Sequence, residues 1–436
     1  MDYDAMEVIL LDSTLIDRSG HSWRMIEEIG AALRARGLRY RTFVPKAVEP
    51  EIIDAIGVIP HFSQRLYDAP HIYSNNDDGL DNPVFWILDK FFSQRKPFFV
   101  SQIRASCSFR HRAHLEALDW KELNLSYAKD LAALPKNVWS PENLVIVTAT
   151  SQNQLSGLIK FLRARDKSQL PRIICHLMLP PRYSPAGFSS RLGEKFYRRA
   201  FRRGKALTGS KLFFTTENKG MQALFSETFG LQTEILPVPL HVGKAELRDK
   251  DGPARLGFYG SSRYNKGFHL LPGIVMMCRQ RRYDVTFNVQ IQYSNHDEAM
   301  LSVERTLRDF SNVRLIKGAI STEEYIRLFD EADIILLPYD PVEFGMQGSG
   351  VFTEAMTAGC PIIASKDTFA AKSIEQGEAQ GEVFAPYTAA ACVDAIGRLL
   401  SMRSELQAKA LSKAHSFART HCGATYIERS LRVAGY

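Results

Sequence analysis

LLPYDPVEFGMQGSGVFTEAMTAGCPIIAS, residues 336–365, is the stretch on which the reading of this chain turns. An apolar run closes at Tyr339, and a loop with three glycines follows, Gly345, Gly348 and Gly350. A helix rich in small residues begins near Val351, and a second apolar run ends at Ser365. Strand, glycine loop, helix and strand in that order form the unit of a parallel sheet covered by helices. In such sheets ligands bind beyond the C-terminal ends of the strands, where the next helix starts. Ser349 is placed to cap that helix, and the amides near Gly350 and Val351 then face the ligand side. Glu354 falls one turn into the helix. A carboxylate there repels phosphate but suits a diol, since it can accept two hydroxyl hydrogen bonds. The plainer reading is a glutamate that complements the helix dipole, which leaves the three glycines unexplained.

Working outward, GFYGSSRYNKGFHLL (257–271) offers a second strand-to-helix junction. A strand runs into Gly260, Ser261 and Ser262, then Arg263 and Lys266, then Gly267 and a helix. Small residues let backbone amides approach a phosphate, and the two cations add full charge able to neutralise a leaving diphosphate. Taken alone, the segment reads equally well as a solvated turn.

The chain has 436 residues, too many for one ordinary core, so two domains are expected. The expected division is 1–238, 239–415 and a C-terminal helix at 416–436 packing back on the first domain. The hinge falls in LPVPLHVGKAELRDKDGPA, 236–254, where an extended proline-bearing stretch meets a charged linker. In the first half, strands are expected at 7–13, 40–45, 98–103, 143–150 and 172–177. Helices are expected there at 23–36, 84–93, 111–118 and 153–165. The second half repeats the alternation, with strands at 254–260, 285–291, 313–317, 333–337 and 361–365. Its helices are expected at 268–281, 322–332 and 351–358, followed by a long helical region from about 388.

Apolar content of 45% and charge of 24% describe a globular protein. No apolar run reaches membrane-spanning length, and an acidic N-terminus is wrong for a secretory signal. Six scattered cysteines lack metal spacing and read as free thiols in a reducing, cytoplasmic setting. A formal charge of +7 suits an anionic partner, but no nucleic-acid motif accompanies it, so nucleic acid is not expected.

The order of these segments resembles the GT-B retaining glycosyltransferases of the large family 4 group. A basic G…R..KG element opens the second domain, LIKG (315–318) ends a strand, a PY strand end follows, and EAMTAGCPIIAS closes the series. The resemblance is strong over about 254–366 and weaker before it. It implies an α/β fold of two Rossmann-like domains facing across a cleft. It also implies transfer of a hexose-type sugar from a nucleoside-diphosphate-sugar to a hydroxyl on a glycan or lipid-linked saccharide, with retention and no required cofactor. Arg263 and Lys266 would then bind the diphosphate, Glu354 the ribose, and backbone near Gly318 and Ile320 the base. The family's first glutamate is missing at its usual spacing, because position 346 is methionine. Glu343 is the favoured substitute at the sugar end of the site.

The resemblance also implies a role for His176, which closes the 172–177 strand where the family carries a histidine on the donor sugar. The loop 12–23 stands at the family's glycine-rich phosphate loop, but only Gly20 remains there. Asp78 and Asp81 in NNDDGLDN read as an Asx-rich turn rather than a metal site, and no metal is expected. RLGEKFYRRAFRRGK (191–205) fits an interfacial helix on an anionic membrane, peripheral on its inner face, or an ordinary helix with its apolar stripe in the core. Met346 and the sparse first loop also leave open a catalytically weak GT-B protein acting as a binding or partner subunit.

Overall fold

The computed structural model describes residues 6–18, 21–66, 123–182, 190–240, 252–292, 298–318 and 320–436. The elements expected at 84–93, 98–103 and 111–118, with Asp78 and Asp81, lie outside the described residues, as does Gly20. The rest forms two parallel sheets, each covered by helices.

The first sheet has the order β3-β2-β1-β4-β5-β6-β7. Its strands are β1 (Glu7–Leu11), β2 (Arg39–Pro45), β3 (Ile59–Phe62), β4 (Leu144–Val147), β5 (Arg172–Leu177), β6 (Leu212–Thr216) and β7 (Glu234–Ile235). The second sheet has the order β10-β9-β8-β11-β12-β13. It comprises β8 (Ala254–Phe258), β9 (Val285–Ile291), β10 (Val313–Lys317), β11 (Ile334–Leu337), β12 (Ile362–Ser365) and β13 (Gly381–Phe384). The central strands EVILL, LVIV and IILL are apolar on both faces because helices cover both sides. Sequence periodicity misses β3, β6, β7 and β13, which are short or mixed in character.

Helix starts are fixed by side-chain caps. Ser321 and Glu324 form a reciprocal capping box on the helix Thr322–Glu331. Asn218 accepts from the Met221 amide at the start of Lys219–Phe229, and Thr368 and Thr388 cap the helices that follow them.

Each sheet has apolar clusters on both faces. Tyr426, Ile427 and Leu431 of the last helix, Gly423–Ala434, belong to a cluster of the first domain. The chain therefore returns to its starting domain at its C-terminus. The basic helix Ser190–Gly204 sends Tyr197 and Ala200 into the first domain's core, with Phe201 packed against it. Tyr197 stacks on Phe201 and meets Phe225 edge-on. Its apolar stripe is thus used within the protein, while Arg198, Arg199, Arg202 and Arg203 are exposed or nearly so. Among the described residues no helix is long and apolar enough to cross a membrane. Cys175, Cys278, Cys360, Cys392 and Cys422 are free thiols.

Candidate active site

The C-terminal ends of both sheets face one cleft. From the second domain, the helix Gly350–Thr357 points its N-terminus into it. Ser349 occupies the cap position, but its hydroxyl pairs with the Tyr339 hydroxyl at 3.2 Å and makes no cap bond. The first amides of this helix therefore keep their partial positive charge for another partner. Gly260, at the end of β8, lies against this helix. A Cβ there would stand 3.1 Å from Val351 Cγ2 and 3.2 Å from Lys266 Nζ. Those distances bring Gly260, Lys266 and Val351 into one group. Ser261 is half-buried in the same turn.

Lys266 is held by a tight turn. Gly267 has φ of +76°, and its backbone presses on Pro338, whose carbonyl oxygen would lie 1.9 Å from an added Cβ. Nothing but glycine fits there, so the cation is placed by backbone geometry. The Lys266 ammonium sits over the Tyr339 ring at 5.4 Å. Burial pulls its pKa down to about 8, Arg263 pulls the same way, and Glu354 opposes them. Arg263 itself is exposed on the same turn.

Glu354 is buried, at 2% exposure. Its Oε1 accepts from Arg24 of the first domain at 2.8 Å, and its Oε2 accepts from the Tyr325 hydroxyl at 2.7 Å. The Arg24 guanidinium lies over the Tyr325 ring at 5.4 Å. Beside this trio, Gly260, Gly318 and Ile320 border a cavity of about 50 Å³ facing Arg18 and Trp23. Trp23 Nε1 donates across the cleft to Thr322 Oγ1 at 3.3 Å. The first domain is thus docked on the side of the site where the resemblance places the base.

A second contact crosses the cleft at the glycine loop. Glu217, just beyond β6, accepts from the Gly348 amide at 2.7 Å. Burial raises its pKa to about 7, which the Gly348 hydrogen bond only partly offsets. Asp12, just beyond β1, organises the first strand-to-helix loop. Its carboxylate accepts from the amides of Thr14 and Leu15 and from the Thr148 hydroxyl.

Two expected residues are engaged by partners within the protein. His176 closes β5 as expected, but it is fully buried, bonded through Nδ1 to Thr215 at 2.9 Å and packed edge-on against Tyr426. The last helix covers the face toward which His176 points, so Met178 and Leu179 reach the cleft in its place. Burial drives its pKa down to about 3, so its ring is neutral. Glu343 is exposed and accepts from the side chain of Asn265, on the turn that carries Lys266. Sequence reasoning misses Arg24, Glu217 and Tyr325. For Glu217 a signal existed: the acid closes the apolar run LFFTT ahead of the capping Asn218, a strand-to-helix position.

Among the described residues no His, Cys, Asp and Glu cluster could hold a metal ion. The arrangement gathers a cation, a helix N-terminus and a buried carboxylate on the second domain, with an arginine and a carboxylate facing them from the first. That set can bind an anion next to a hydroxylated group.

Comparison with known proteins bears on the fold and on the second domain. No curated protein matches the sequence. In solved structures the fold recurs over nearly the whole chain. A glycosyltransferase from Rickettsia africae ESF-5 is 12% identical with a TM-score of 0.61, covering 99% of each chain. A lipopolysaccharide outer core galactosyltransferase in its apo form is 11% identical with a TM-score of 0.57, over 98% of this chain and 99% of the other. A putative UDP-N-acetylglucosamine 2-epimerase from Listeria monocytogenes is 11% identical with a TM-score of 0.56, over 98% and 95%. At such identities these likenesses speak for the fold alone, which is GT-B. Residues 244–416, the domain that carries Lys266 and Glu354, match the family described as glycosyl transferases group 1.

Proposed function

We propose that this chain transfers a hexose-type glycosyl group from a nucleoside-diphosphate-sugar to a hydroxyl acceptor on a glycan or lipid-linked saccharide. The observation that carries the reading is the convergence of Lys266, the free N-terminus of Gly350–Thr357 and Glu354 at one point of the cleft. In this reading Lys266 and the helix amides hold the diphosphate, and Arg263 adds charge from the rim. They stabilise the negative charge that grows as the glycosidic bond breaks. Glu354 takes the ribose diol. Gly318 and Ile320 border the base.

Retention at the anomeric carbon is the course we assign, the departing diphosphate assisting the incoming hydroxyl on the same face. The reaction calls for no cofactor beyond the donor. A lipid-linked acceptor would bring the chain to the anionic inner face of a membrane. The outward arginines of Ser190–Gly204 supply attraction for such a surface by charge, since the apolar stripe of that helix is already used.

Lys266→Ala and Glu354→Ala, assayed for donor hydrolysis and for transfer, test the reading. We expect both to lose turnover by tenfold or more, on the order of one charge-assisted hydrogen bond. Unchanged turnover in both variants would remove the site.

A further inference from the structure

The glycosyl unit of the donor must lie just beyond the diphosphate, against the glycine loop. Its hydroxyls need acceptors, and the loop itself supplies no carboxylate on that side. Glu343 is engaged by the Asn265 side chain, and position 346 is a methionine whose sulfur approaches the Lys372 ammonium at 3.8 Å.

Two cavities meet at this loop. The inner one, about 50 Å³, lies between Thr14, Met178, Leu179 and the loop. The outer one, about 830 Å³, lies between the domains and is large enough for a bound glycosyl group and more. Glu217, Val238, Gly348 and Thr353 line both and form the wall they share. Among the described residues that line the inner cavity, Glu217 is the one ionisable side chain.

Its environment is that of a ligand-facing group. Among the described residues no cation pairs with Glu217. Its carboxylate meets the Gly348 amide and, at 3.4 Å, the Asn218 side-chain amide, both through Oε1. The glycine at 348 keeps this approach open, since a Cβ there would fall 2.7 Å from Oε1 and 2.9 Å from Oε2. The carboxylate thus stands two residues before the helix start at Gly350, with capacity for further donors.

We propose that Glu217 is the specificity-determining carboxylate of the cleft, accepting hydroxyl hydrogen bonds from the glycosyl unit of the donor. This rests on the donor reading above and adds the sugar end of the same site. The second domain holds the nucleotide, and the first domain reads the sugar through Glu217 once the cleft closes. A site that hydrogen-bonds a substrate hydroxyl rejects the epimer that misplaces it, because its own polar group is then left unpaired.

The test uses the full chain, nucleoside diphosphates, and the matching glucosyl and galactosyl donors, which differ in one hydroxyl. Glu217→Gln keeps an oxygen for the Gly348 amide and removes the charge, and Glu217→Ala removes both. We expect nucleoside diphosphate affinity, read by calorimetry, to stay within about twofold of wild type in Glu217→Gln. We expect its kcat/KM for donor hydrolysis to drop roughly 10- to 100-fold, the scale of a hydrogen bond to a charged group. The preference between the two epimeric donors should shrink by a similar factor. Unaltered kcat/KM and preference in both variants overturns the proposal. So does an equal loss of nucleoside diphosphate affinity in Glu217→Gln, which marks a role in holding the loop. If wild type binds no nucleoside diphosphate, the donor reading fails and the proposal falls with it. Wild-type binding with unchanged variants isolates a failure of the Glu217 proposal.

Discussion

Arg24 donates to Glu354 across the cleft at 2.8 Å, with side-chain exposures of 7% and 3%. The pair joins the two domains through the carboxylate to which we assign the ribose. Both charges have left water, so their attraction is offset by desolvation and the pair is sensitive to loss of either member. Domain opening relieves the loss, because it returns the remaining charge to solvent. Arg24→Ala should therefore favour an open arrangement more than it promotes unfolding. A radius of gyration larger than that of the wild type by small-angle scattering would bear this out, and an unchanged value would count against it.

Glu354→Ala should weaken a nucleoside diphosphate by roughly tenfold or more while leaving inorganic pyrophosphate nearly untouched, since only the former carries a ribose. Calorimetry with both ligands is the measurement. An equal loss for both would remove the ribose assignment.

The Lys266 ammonium, pulled down to about 8 by burial first and by Arg263 second, is the cation most exposed to pH. Below that value it is charged and attracts the diphosphate. Above it the charge is lost, and affinity falls with it. The fall sets in near pH 8, the value of the unliganded protein, and continues up to the higher pKa that the bound anion imposes. We expect diphosphate affinity at pH 9.5 to lie well below that at pH 7. Lys266→Arg, which stays charged, should flatten the profile.

Glu217 has the opposite sign problem. Its folded pKa of about 7 lies above its ordinary value of 4.5, so the folded state holds the proton more tightly. Below pH 4.5 the group is neutral in both states and costs nothing. As pH rises from there to about 7, the unfolded state ionises first and the protein loses stability; above 7 the penalty is complete. The urea midpoint of wild type should fall relative to Glu217→Gln across that interval. Parallel midpoints from pH 4.5 to 7.5 would refute the shift.

Two glycines with similar backbone angles should respond differently to alanine. Gly267 has φ of +76° and faces Pro338 O, whereas Gly318 has φ of +80° and nothing within 4 Å of its added Cβ. Gly318→Ala should cost about 1–2 kcal/mol from strain alone. Gly267→Ala must also move the Pro338 backbone, and should cost more than about 3 kcal/mol or prevent folding. Equilibrium urea unfolding of both variants measures the difference.

The second domain was the more legible half because its signals are local. The glycine loop, the small-residue helix and the strand ending at Ser365 are consecutive, and the structure builds them in that order. The sequence also indicates that Ser349 precedes the helix. It does not reveal that the Ser349 hydroxyl turns to Tyr339, a choice made by packing. Arg24 and Glu354 are 330 positions apart, and no spacing rule links them. His176 shows the same limit: its strand is readable, but the face it takes depends on a helix that arrives at residue 423. Glu217 follows a strand too short and mixed for periodicity to find, and its one signal is its place between LFFTT and the capping Asn218.

The return of the last helix to the first domain has a mechanical consequence. The polypeptide passes from one sheet to the other beyond β7 and passes back between Thr420 and Gly423. Two covalent tethers between rigid bodies leave little freedom except swinging about the line that joins them. Arg24–Glu354 and Glu217–Gly348 are then two readings of one coordinate, and both must break when the domains part. A ligand that severs either contact loosens the other without touching it.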